Sequence, residues 1–312
     1  MKYAKFVLSA GFLWLMLQVP WVLAAGNVSP TSESEKVESS SSAGEVKDSV
    51  FWHVSGRGIK PSYLLGTIHL SDPEVTRFSD SLNRALDKAS LICLELDMSP
   101  ELMMAAFVQM MAPNQDLEVL LGEALFSQVL KAMSDGNGGA SALPIRHLKP
   151  WAVMVMLSTP KNQNPSQVMD LRIFQHARAR NLPICALETV QEQLAVFDGI
   201  PLADQVQMLK ETLLFLPQFA SLFDRMMSLY KAGALDKLHE LNETQLESSE
   251  VTVWRDTMTA LLDERNLRMI DRIESEMQSH STLVAVGALH LSGGQGLIDL
   301  LRSRGYSVTP IY

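Results

Sequence analysis

Leu65-Gly66-Thr67-Ile68-His69-Leu70-Ser71 and Val286-Gly287-Ala288-Leu289-His290-Leu291-Ser292 are two versions of one segment, with Gly, His, Leu and Ser in the same register. Each closes an apolar, β-branched run that reads as a strand. A lone Gly-x-x-His carries little information, because 17 Gly and 7 His in 312 residues give about 0.4 such matches by composition alone. Two with matching flanks carry more. A His at the carboxyl end of a strand faces the crevice where α/β sheets place their sites, and the preceding Gly lets a backbone or ligand come close. Two such imidazoles brought together by one sheet would supply two neutral nitrogen donors to one metal ion. The competing reading is a pair of hydrogen-bonded core histidines, and the repetition weighs against it. His53, His147, His176, His239 and His280 share no such context.

Working outward from the motifs, Val50 to Val54 and Tyr63 to Ile68 read as adjacent strands separated by Gly56-Arg57-Gly58. Leu91 to Leu96 is a short, nearly continuous apolar run, as expected of a strand covered on both faces. Further strands are expected at Leu182 to Leu187, Thr282 to Val286 and Tyr306 to Ile311. Helical patterns fill 77 to 89, 100 to 134 with a break near Pro113-Asn114 and a loop at 135 to 139, 150 to 158, 170 to 180 and 296 to 304. From about 201 to 279 the pattern is almost continuously helical, with weak breaks at Pro217, Gly233 and near Ser248. The expected class is α/β: a central mixed sheet flanked by helices, with residues 50–312 as one domain and about 201–279 as a helical insertion.

A catalytic metal needs an anionic ligand or a base for its water. Glu95 and Glu188 each end an apolar strand, where the two motif histidines also sit. Their alternative reading is helix capping or solvent exposure just past a strand. Arg265 and Asn266 fall within a helical stripe of Val251, Trp254, Met258, Leu262, Met269 and Ile273. An Arg on such a face must find an anion: a site carboxylate, a substrate carboxylate or an oxyanion.

Hydrophobic residues make up 47% and charged residues 20%, with a net charge of −9 at pH 7. Those values exclude a fully disordered chain, and the acidic balance argues against a nucleic-acid partner. Lys2 and Lys5, the apolar run from Phe6 to Leu23 and Ala24-Ala25-Gly26 follow the order of a secretory signal peptide, giving 1–24 as signal and an exported, periplasmic or secreted protein. Membrane contact is expected only through that segment, if it stays uncleaved. Residues 25–49 are Ser- and Glu-rich and read as a disordered tether. Cys93 and Cys185 lie in apolar runs and are read as two buried thiols in preference to a bridge, although an oxidising compartment would permit one.

On these residues the chain resembles the TraB/GumN family, which includes the Tiki proteins. The resemblance runs from about residue 50 to the C-terminus through Phe51-Trp52, Tyr63 to His69, Glu95, Lys149-Pro150-Trp151, Asp170, Leu187-Glu188-Thr189, Gln193, Arg265-Asn266, Val286 to His290 and Gly305-Tyr306. It implies a metal-dependent protease supported by manganese or cobalt, with His69, His290 and Glu95 as metal ligands; zinc and iron also suit such donors. Val168-Met169 departs from the family's glycine-plus-small-apolar pattern, and Asp170 is given no role. The resulting expectation is a hydrolase of peptide or protein substrates in which water held by the metal attacks, Glu188 acts as base and Arg265 stabilises the oxyanion. The alternative is a non-catalytic module that captures a peptide signal or haem in the same crevice.

Overall fold

Six strands form one mixed sheet in the order β4-β3-β5-β2-β1-β6, with β1 Phe51–Ser55, β2 Ser62–Thr67, β3 Leu91–Leu94, β4 Ile184–Ala186, β5 Thr282–Gly287 and β6 Ser307–Pro310. The computed structural model describes residues 48–56, 58–134, 145–160, 164–248 and 252–311. The signal peptide, nearly all of the tether, Arg57, the 135–139 loop and Val251 therefore lie outside the described residues. β1 pairs antiparallel with both β2 and β6. The four strands β4, β3, β5 and β2 run parallel to one another. β3 and β5 are buried along their whole length, the reason both read as unbroken apolar runs.

The register matters for function. Gly66 stands opposite Val286 and Thr67 opposite Gly287, so the two motifs leave the sheet side by side. Gly66 is where the second motif turns back. A β-carbon there would lie 2.9 Å from the Ala288 Cα and 2.9 Å from Leu291 Cδ1, so only glycine lets the turn Ala288–His290 sit on β2.

Between β4 and β5 the chain forms the helices Val190–Asp198, Leu202–Lys231, Leu235–Ser248, Thr252–Leu261 and Asp263–Ser279. Gly233, at φ 66°, makes the expected break. Pro217 does not: it sits inside the helix Leu202–Lys231, which packs along Pro150–Ser158. Burial of the helix face by Phe215, Phe219, Leu222 and Met226 outweighs the single hydrogen bond that a proline removes.

Cys93 and Cys185 are joined in a disulfide, which corrects the expectation of two thiols. The reason is register: parallel pairing sets Cys93 opposite Cys185 with 4.6 Å between their Cα atoms.

Candidate active site

Each of the four parallel strands delivers one candidate residue just past its carboxyl end. In spatial order across the sheet these are Glu188 after β4, Glu95 after β3, His290 after β5 and His69 after β2. All four are buried, and Arg265 comes in from the helix Asp263–Ser279 with 0% exposure. The sequence-expected residues are thus gathered at one end of the sheet, where open α/β folds place ligands.

The two imidazoles are anchored alike. His69 Nδ1 lies 2.5 Å from Asp170 Oδ2, and Asp170 Oδ1 accepts from the Thr67 hydroxyl at 2.6 Å. His290 Nδ1 lies 2.7 Å from Asn266 Oδ1, while Asn266 Nδ2 donates to the His290 and Gln295 carbonyls at 3.2 and 2.8 Å. In both rings the δ nitrogen is committed to a helix-borne oxygen, which fixes ring orientation and makes Nε2 the nitrogen suited to ligation. His290 Nε2 is buried without a hydrogen bond, 3.8 Å from Glu95 Oε1. Burial first, then the charges of Arg265 and His69, push the His290 pKa well down, so this ring is neutral at neutral pH. Burial works to raise the Asp170 carboxyl, but His69 and the Thr67 hydroxyl overcome it and hold it below the ordinary value.

Arg265 binds both carboxylates. Nε donates to Glu188 Oε2 and Nη2 to Glu95 Oε2, each at 2.7 Å, and Nη1 reaches the Leu261 carbonyl at 3.1 Å. Glu95 also accepts from Gln193 Nε2 at 3.4 Å and, through Oε1, from the Gly287 N–H of the second motif at 2.6 Å. Burial still dominates and keeps the Glu95 pKa raised, although Arg265 and His69 oppose it. Glu188 Oε1 is buried without a hydrogen bond, 3.7 Å from Arg268 Nη2.

Among the described residues, no group of three or more His, Cys, Asp or Glu side chains stands in a metal-holding arrangement. Two neutral-capable imidazoles with anchored Nδ1 atoms, one bearing an unsatisfied Nε2, fit the chemistry of a divalent ion. Glu95 is beside them but is also engaged by Arg265 and Gly287.

Asp170, named in the resemblance but given no role there, lies in phase with Ile173 and Ala177 on the buried face of Met169–Ala179. The test that singled out Arg265, a charge on an apolar helical stripe, would have found it.

A sequence model described as the TraB/PrgY/gumN family matches residues 50–310. The chain is 24% identical over 354 residues to Metalloprotease TIKI2 of Danio rerio, covering 96% of this chain and 68% of that protein. It is 26% identical over 249 residues to Uncharacterized protein YbaP of Escherichia coli (strain K12), covering 78% and 89% respectively. Against Metalloprotease TIKI1 of Danio rerio it is 24% identical over 304 residues, covering 80% of this chain and 60% of that relative. No solved structure matches the chain.

Proposed function

The chain belongs to the TraB/PrgY/gumN family, and from that premise we propose that it is an exported, metal-dependent hydrolase of peptide bonds. The observation that carries the reading is the pair of strand-end imidazoles, each fixed through Nδ1, with the neutral His290 presenting a buried Nε2 beside Glu95. Relatives named as metalloproteases support the reaction class.

His69 and His290 would hold the ion, with Glu95 as carboxylate ligand and manganese or cobalt as the preferred metals. Such an ion supplies Lewis acidity and a nucleophile from water at neutral pH. Asp170 and Asn266 hold the imidazoles in the ligating tautomer. Glu188 Oε1, buried and without a hydrogen bond, is positioned to take a proton as general base. Each nitrogen of Arg265 already donates a hydrogen bond and the guanidinium bridges Glu95 and Glu188, so we assign it to fixing those carboxylates relative to each other in preference to receiving an oxyanion.

Export is supported by the signal-like N-terminus and by the disulfide, which suits an oxidising compartment. No helix among the described residues is long and apolar enough to cross a membrane.

The test is turnover. Protein stripped by chelator should cleave a mixed peptide substrate only after manganese or cobalt is restored, and His69→Ala should not cleave at all. Glu95's engagement by Arg265 and Gly287 favours the second reading, a binding module without chemistry. Stoichiometric peptide capture with no cleavage under any metal would establish that reading instead.

A further inference from the structure

The site described above is almost closed. Glu95, Arg265 and His290 show 0% exposure and Glu188 shows 2%, whereas His69 shows 5%. Of the five, His69 keeps the most contact with solvent, so its side is the most open approach to the imidazoles. The residues that follow His69, Leu70 to Pro73, form one wall of a cleft of about 1080 Å³. Its other walls are the helix Glu123–Ser134, the end of the helix Pro150–Ser158 and one flank of the long helix Leu202–Lys231. Leu157, Leu216, Phe219, Phe223 and Met227 line it, and among the described residues only Asp72, Lys131 and Asp224 bring charge to it.

The helix Leu202–Lys231 ties this cleft to the site directly. Tyr230 donates its hydroxyl to the Gly66 carbonyl at 2.7 Å, inside the first motif. The same helix carries Pro217 in the cleft wall, and a proline has no N–H to give the carbonyl four residues earlier. That carbonyl belongs to Leu213, which also lines the cleft. The wall thus offers large apolar side chains together with a backbone acceptor withdrawn from its helical partner, the pairing that an extended peptide recognises.

We propose that this cleft is the substrate-side subsite, binding an extended peptide through a bulky apolar side chain placed next to the bond presented to His69. The inference rests on the hydrolase reading for the reaction, but not for the binding. It makes Phe219, Phe223 and Met227 specificity-determining residues and predicts little tolerance for a charged residue at that substrate position.

The experiment uses the intact protein and two fluorescein-labelled dodecapeptides of Gly, Ser and Thr, one with a central Phe-Leu pair and one with Ser-Ser there. Ala220→Trp fills the cleft from an exposed helix position that lines it, and Leu214→Trp makes the same change at an exposed position outside it. The Phe-Leu peptide should bind roughly tenfold or more tighter than the Ser-Ser peptide. That preference should vanish in Ala220→Trp and persist in Leu214→Trp and His69→Ala. Equal binding of the two peptides, an unaltered Ala220→Trp, or full displacement of the peptide by dodecanoate at lower concentration than by unlabelled peptide would overturn the proposal. Preferential binding without cleavage under any metal would remove the hydrolase and leave the cleft standing. Cleavage with no preference between the peptides would do the opposite.

Discussion

Gly66 and Arg265 show how single residues fix this site. An alanine at position 66 would set its β-carbon 2.9 Å from the Ala288 backbone, so Gly66→Ala should push the His290 turn away at a cost of about 1–3 kcal/mol, measured by urea unfolding. An unchanged midpoint would show that the two motifs do not need this close approach. Arg265 is buried between Glu95 and Glu188, and Arg265→Met would strand two carboxylates at a cost of about 3–5 kcal/mol. Arg265→Lys keeps the charge and loses the planar fork, so stability and activity should fall together in one preparation assayed for both. Normal stability with a large loss of turnover would restore the oxyanion role. At this scale the sequence was informative wherever a polar residue interrupted an apolar period: His69, Glu95, Glu188, Arg265 and His290 all did so. Asp170 carried the same signal and was passed over because Val168-Met169 broke the family pattern, while packing brought it to His69 regardless.

Elements joined at the β4 edge hold Glu188 in place. The helix Val190–Asp198 starts with a capping box in which Thr189 and Glu192 bond each other's backbone N–H, and Arg272 clamps the same Glu192. The Arg272 hydrogen bond, joined by the Thr189 contacts and opposed by burial, depresses the Glu192 pKa from 4.5 to about 2. Because the unfolded chain then takes up the proton first, the contribution is complete above pH 4.5 and disappears as pH falls toward about 2. Glu192→Gln should therefore lower the thermal midpoint at pH 6 and make little difference near pH 2; a constant difference across that range would contradict the assignment. The disulfide closes a separation of 92 residues across β3 and β4, so Cys93→Ala combined with Cys185→Ala should cost about 2–4 kcal/mol. Strand positions were readable because buried parallel strands leave apolar runs, and Thr189-x-x-Glu192 was readable as a helix start although it went unused. The Cys pairing was not readable, since it depends on which strands are neighbours and in what register.

Over the whole molecule, the strand order β4-β3-β5-β2 converts residues scattered from position 69 to 290 into one row along the carboxyl edge of the sheet. No local pattern encodes that order, because it is set by long crossovers that bring together strands distant in the chain. What the repeated motif did disclose is that both histidines end equivalent strands, and parallel pairing of β2 with β5 sets those strands side by side. The central claim is that the two imidazoles serve one ion. Metal content after dialysis against manganese or cobalt, determined by element analysis on the wild type, His69→Ala and His290→Ala with circular dichroism to confirm folding, tests it most directly. The account predicts about one ion per wild-type chain and a loss of it in both folded variants; a metal-free wild type, or either folded variant retaining the full ion, would contradict it.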